Sequence, residues 1–140
     1  MDVHSVVVRS HNMASIRSGD TKPEMIVRRF LHQLGYRYRL HRRDLPGCPD
    51  IVFPGRKMVL FVHGCFWHCH DCRYFKWPEA NADFWIKKIK SNIERDRLSE
   101  IALHALGWQT LTVWECELRN SVATEGKLSQ IVDFLTSSVN

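Results

Sequence analysis

Apolar and polar positions divide the chain into three helical and four extended stretches. Thr21-x-x-Glu24 has the form of a helix-capping box, with Pro23 tolerated in the first turn. The helix that it opens gathers Ile26, Val27, Phe30, Leu31 and Leu34 on one side and should stop at Gly35. Residues 36–40 alternate aromatic or apolar side chains with Arg37 and Arg39, the pattern of a half-exposed strand with one basic face. Pro46-Gly47 turns the chain into a short buried strand, Ile51-Val52-Phe53, and residues 54–57 turn it again into the apolar run 58–62. If Phe53 pairs with Met58, Asp50 lies opposite Phe61, and His63 becomes its diagonal neighbour at roughly 7–8 Å.

Residues 73–83 read as a loop in which Trp77-Pro78 breaks any helix, and a long helix is predicted from about Ala82 to Leu106, ended by Gly107. Its buried side should run through Ile86, Ile89 and Ile93 and continue, with some drift, through Leu98, Ile101 and Ala105. Trp85, Lys88, Asn92 and Arg95 form a second stripe, which is either a binding surface or a solvated polar face. Residues 108–114 alternate as a strand, expected to pair in parallel after the helical crossover, with Cys116 just beyond it. A last helix near 124–136 should bury Leu128, Ile131, Val132 and Leu135. The predicted order is α-β-β-β-α-β-α, an α/β fold with a mixed sheet flanked by helices.

A length of 140 residues suits a single domain over 1–140, with the polar residues 1–20 as an N-terminal arm that either frays or orders on a partner. The net charge of +5, with eight histidines besides, favours a polyanionic partner, nucleic acid first. No stretch reaches the apolar length of a membrane helix and no secretory signal pattern opens the chain, so a cytoplasmic location is expected. In that setting five cysteines placed mostly among histidines argue for metal before disulfides.

The chemistry concentrates in residues 63–72, His-Gly-Cys-Phe-Trp-His-Cys-His-Asp-Cys, which follow a buried strand directly. Cleaving a phosphodiester needs an oxygen-ligated divalent cation such as Mg2+. Asp50 at one strand start and the Val62 carbonyl at the facing strand's end could supply the oxygens. His63 and His68 could then serve as base and acid, or hold metal-bound waters. Cys65, Cys69, Cys72, His70 and Cys116 offer a softer set suited to tetrahedral Zn2+, with Cys69-x-x-Cys72 the natural pair by spacing alone. Cys48 stands apart as an ordinary thiol. Phe66 and Trp67 either pack under the zinc knot or wedge between base pairs. Glu24 is at least a cap residue.

Several segments resemble the very short patch repair endonuclease family, whose members nick DNA at T:G mismatches. They are Arg9-Ser10-x-Asn12-Met13-x-x-Ile16, Asp20-Thr21-x-Pro23-Glu24, Leu45-Pro46-Gly47-x-Pro49-Asp50 and His63-Gly64-Cys65-Phe66-Trp67-His68. Phe84-Trp85-x-x-Lys88-Ile89-x-x-Asn92-x-Glu94-Arg95-Asp96 and Gly107-Trp108 through Val113-Trp114-Glu115-Cys116 extend the match to residue 116. The resemblance implies a restriction-endonuclease-like core of the PD-(D/E)XK type, in which histidine replaces the usual lysine, with a structural zinc site. It implies Asp50 and the Val62 carbonyl as Mg2+ ligands, with His63, His68 and Glu24 supporting the water and phosphate. The zinc ligands would be Cys65, His70, Cys72 and Cys116. Phe66, Trp67 and Trp85 would enter the base stack, Lys88 and Asn92 would read the wobble pair, and Met13 would contact DNA from the arm. Cys69 stands where the family often has histidine, which leaves Cys65 and Cys69 as rival ligands.

The expected function is Mg2+-dependent nicking 5′ to the thymine of a T:G mismatch in bacterial very short patch repair. The protein would be a cytoplasmic monomer, used at the nucleoid, with mismatched duplex as partner and repair-machinery proteins as further candidates. The alternatives are a restriction-type nuclease of the same fold and a non-catalytic zinc-containing DNA-binding module.

Overall fold

The structure, a computed structural model, describes residues 20–65, 70 and 76–137. The chain falls into two compact units with the boundary after Tyr36. The first contributes one described helix, α1 (Lys22–Gln33). Thr21 caps it, its hydroxyl accepting from the Glu24 N–H at 3.4 Å. The Glu24 carboxylate reaches back to the Asp20 N–H at 3.2 Å, one residue before the cap, so the predicted capping box closes on Asp20 and not on Thr21. Val27 and Leu31 are buried as the periodicity predicts, whereas Leu34 is exposed.

The second unit is a four-stranded mixed sheet with two further helices. Its strands are β1 (Arg39–Leu40), β2 (Ile51–Phe53), β3 (Met58–His63) and β4 (Gln109–Trp114), in that spatial order. The helices are α2 (Ala82–Ala105) and α3 (Ser121–Thr136). Only two residues of the predicted strand 36–40 join the ladder, opposite Ile51 and Val52. Strands β2 and β3 form the predicted hairpin, with Phe53 opposite Met58 and Lys57 turning in the left-handed region. Strand β4 returns parallel to β3, Met58 opposite Gln109 through His63 opposite Trp114.

Helix α2 packs on the sheet face that carries Val52, Val59 and Phe61, with Leu103 and Trp108 completing a buried cluster. Burying side chains of this size stabilises the fold by about 1.5–3 kcal/mol each. The helix stops where Gly107 adopts φ +89°. There the Gly107 N–H bonds the His104 carbonyl and the Trp108 N–H bonds the Leu103 carbonyl, both at 3.0 Å. Those two bonds satisfy the last turn and deliver Trp108 onto Leu103.

The predicted buried side of α2 is corrected from Ile93 onward. Ile89, Asn92 and Leu103 are buried, while Ile93, Leu98 and Ile101 are exposed. The covered stripe runs through Trp85, Ile89, Asn92, Asp96, Ser99 and Leu103, at alternating spacings of four and three. Its middle is polar because it backs on a loop. A Cβ on Gly47 would lie 2.7 Å from the Ser99 Cβ, and Gly47 has φ +78°. A small residue is therefore required on each side. Helix α3 starts three residues before the predicted 124, because Asn120 caps it with a 2.8 Å bond from the Ala123 N–H.

Gly47→Ala should lower stability by about 1–3 kcal/mol, combining a left-handed backbone with overpacking. Gly55→Ala, whose Cβ would meet nothing within 4 Å, should change it by under about 0.5 kcal/mol. Urea midpoints of the two variants check this, and equal midpoints would refute the close approach.

Candidate active site

The β2–β3 ladder ends at Ile51 opposite Leu60, and its register carried further would set Asp50 against Phe61 and Pro49 against Val62. Proline has no N–H to give the ladder. The Val62 N–H donates instead to the Asp50 carboxylate, 2.8 Å from Oδ2, and the Pro49 carbonyl accepts from the Arg42 N–H at 3.3 Å. Within a strand the N–H and C=O of one residue point to the same side. The Val62 carbonyl therefore faces the side of Asp50, with no amide at position 49 to donate to it. A carboxylate and a carbonyl so placed are hard oxygen donors and could hold a divalent cation of the Mg2+ kind.

The loop before Asp50 is braced from within. Arg42 grips the Asp44 carboxylate with its guanidinium fork and holds that carboxyl below its usual range. The exposed Cys48 thiol is pushed up, first by partial burial and then by the Asp50 charge, against a smaller opposing effect of Arg43. A thiol so biased toward its protonated form is a poor ligand. Among the described residues it joins no metal-ligating cluster.

His63 ends β3 on the same sheet face as Asp50, as the register predicts. Its ring centroid is 5.5 Å from Phe61 and 5.3 Å from Trp114, the latter edge-to-face. Two residues on, the chain reaches the soft cluster. Cys65, His70 and Cys116 bring their ligand atoms within 4.8 Å of one another. The His70 Nδ1 is 3.6 Å from the Cys65 Sγ and 3.3 Å from the Cys116 Sγ. A tetrahedral zinc with ordinary Zn–S and Zn–N bonds would separate sulfur from nitrogen by about 3.6 Å. The three groups therefore fit one soft divalent ion. Cys69 and Cys72, the remaining cysteines of the expected set, lie outside the described residues, as do Phe66, Trp67, His68 and Met13.

A family model described as DNA mismatch endonuclease Vsr matches residues 1–74. A type II nicking enzyme of Xanthomonas oryzae is 53% identical over 125 residues, 89% of this chain and 92% of its own. A second nicking enzyme, from Neisseria meningitidis, is 41% identical over 99% of both chains. The DNA mismatch endonuclease Vsr of Escherichia coli is 45% identical over 84% of this chain and 76% of its own. The chain belongs to the Vsr family of DNA mismatch endonucleases. It is accordingly an endonuclease, of the hydrolase class.

Other residues singled out in the sequence sit differently within this Vsr chain. Glu24, in the first unit, is buried, and its second oxygen accepts from Arg28 at 3.3 Å. On α2, Trp85 and Lys88 are half-buried, Asn92 is buried and Arg95 is exposed, so the four do not share one open face. Among the described residues no helix is long and apolar enough to cross a membrane.

The residues that sequence reasoning missed flank Cys116. The Glu115 carboxylate accepts from the Cys65 N–H at 3.3 Å, tying the end of β3 to the turn after β4. Glu117 accepts from the Trp114 N–H at 2.7 Å and pairs with the buried Lys127 of α3 at 3.2 Å. The signal was present as an acidic residue on either side of a candidate ligand, but nothing in the spacing pairs Glu117 with Lys127.

Glu117→Gln keeps the bond to Trp114 and leaves the Lys127 ammonium without its counter-charge. With Glu117 itself partly exposed to water, the loss should be about 1–3 kcal/mol. Adding Lys127→Met should recover most of it. Urea denaturation of both variants checks the pair, and an unchanged midpoint in Glu117→Gln would refute it.

Proposed function

We propose that the protein is a Mg2+-dependent, strand-specific endonuclease that nicks DNA 5′ to the thymine of a T:G mismatch, the incision of very short patch repair. The observation that carries this reading is the Asp50–Val62 contact at a strand end shared with His63, in a chain of the Vsr family. On this reading the core is of the restriction-endonuclease type, with His63 in place of the usual lysine. Asp50 and the Val62 carbonyl would hold Mg2+, which when bound polarises the scissile phosphate. His63 and His68 act as base and acid, one taking the proton of the attacking water and the other protonating the leaving oxygen. Glu24 helps to hold the water and phosphate.

Cys65, His70 and Cys116, with Cys72 as the fourth ligand, would hold a structural Zn2+ that ties the end of β3 to the turn after β4. Supporting this are the soft donor set and its sulfur–nitrogen separations. The duplex is met by a chain of net charge +5. Phe66, Trp67 and Trp85 enter the stack where a mismatch already weakens it, Lys88 and Asn92 read the wobble pair, and Met13 makes contact from the N-terminal arm.

Nicking of end-labelled duplexes that differ only in T:G or T:A, with and without Mg2+, tests this directly. Only the T:G duplex with Mg2+ should be cut, and in the thymine strand alone. Asp50→Ala should lose about 100-fold or more in rate, since a metal-held transition-state charge is worth several kcal/mol. Cutting of the matched duplex would point to a restriction-type nuclease, and no cutting at all to a binding module.

A further inference from the structure

Between His63 and the soft cluster lies a residue to which the proposed chemistry gives no part. Trp114 is the partner of His63 in the parallel β3–β4 ladder, so the two side chains leave the sheet on the same face. Their ring centroids are 5.3 Å apart, with planes at 72°. The same indole stacks on His70, centroids 4.1 Å apart and planes within 6°. The first is the edge-to-face arrangement that aromatic pairs prefer, and the second is a close parallel stack. Its backbone is held as well, the Trp114 N–H donating to Glu117 at 2.7 Å.

The plane of an imidazole is weakly set by its own torsion, which is broad, so neighbouring groups must set it. Phe61, 5.5 Å away with its plane at 50°, gives His63 one wall. Trp114 gives it a second wall, at a different angle. We infer that Trp114 is a positioning residue whose indole, clamped on His70, fixes the plane of the His63 imidazole and so couples that group to the soft ligand cluster. The inference rests on the reading of His63 as an acid–base group of the nuclease. It gives the cluster a task beyond holding a loop: the ring that stacks on one of its ligands also aims the residue that handles the proton.

The test compares the full-length wild type with Trp114→Phe, which keeps a ring for both contacts, and Trp114→Leu, which keeps apolar bulk without one. All are supplied with zinc. Elemental analysis gives zinc per chain, 13C relaxation gives the order of the His63 ring, and single-turnover nicking of saturating T:G duplex gives the rate. All three proteins should carry the same zinc. The His63 ring should be ordered in wild type and Trp114→Phe, near 0.85 on the usual order-parameter scale, and below about 0.6 in Trp114→Leu. The nicking rate of Trp114→Leu should fall about 10- to 100-fold at unchanged DNA affinity, the scale for a misplaced catalytic group, and that of Trp114→Phe should stay near wild type. An ordered His63 ring in Trp114→Leu overturns the inference. So does loss of zinc in that variant, which would make Trp114 a support for the cluster alone. Ring order is read without turnover, so a wild type that fails to nick T:G DNA counts against the proposed function and leaves the ring measurement to decide the role of Trp114.

Discussion

Where the Pro49 carbonyl turns away from the β2–β3 ladder to the Arg42 N–H, the Asp50 carboxylate serves as acceptor in its place and takes the Val62 N–H at 2.8 Å. A hydrogen bond to a charged group of this kind contributes about 1.5–3 kcal/mol. Its larger effect is geometric. It fixes a carboxylate at the open end of the hairpin, keeps the Val62 carbonyl on the same side, and locks the register that puts His63 on the face of Asp50. A slip of one residue would send His63 to the opposite face. The loop leading into Asp50 has little freedom to give way, because Gly47 lies against Ser99 of α2.

Two residues beyond His63 the donor chemistry changes from hard to soft. The Asp50 carboxylate lies against Val62, while thiols and imidazole gather at Cys65, His70 and Cys116. Such a division would sort a magnesium-like ion from a zinc-like one by ligand softness. The turn after β4 holds the soft cluster from three directions. Glu115 grips the Cys65 amide, Cys116 meets His70, and Glu117 anchors the turn to Lys127 of α3. Trp114, just ahead of that turn, reaches from the soft cluster to His63.

Much of this was legible in the sequence because the strands are short, strongly apolar and separated by proline and glycine. The hairpin pairing of Phe53 with Met58 followed from its tight turn, and the parallel return of β4 from the length of the intervening helix. Three of the expected soft ligands, Cys65, His70 and Cys116, are brought together although 46 positions separate the last two. The middle and end of α2 misled, since the apolar residues Ile93, Leu98 and Ile101 face outward while Asn92 and Ser99 face inward. A polar inner stripe follows from what it packs against, here a glycine loop near a strand end, and a helix's own periodicity carries no record of that. The Glu117–Lys127 pair was hidden for the same reason, being fixed by the approach of α3 to the turn and by no local pattern.

The central claim, that the ends of β3 and β4 carry a hard and a soft metal site separated by His63 and Trp114, is tested most directly by anomalous diffraction. Crystals of the protein with Mn2+ in place of Mg2+ would be measured at the zinc and manganese absorption edges. The account predicts a zinc peak about 2.3 Å from the Cys65 and Cys116 sulfurs and about 2.0–2.1 Å from His70 Nδ1. It predicts a separate manganese peak within about 2.5 Å of an Asp50 carboxylate oxygen and the Val62 carbonyl oxygen. A manganese peak away from Asp50, or a zinc peak away from Cys116, would contradict it.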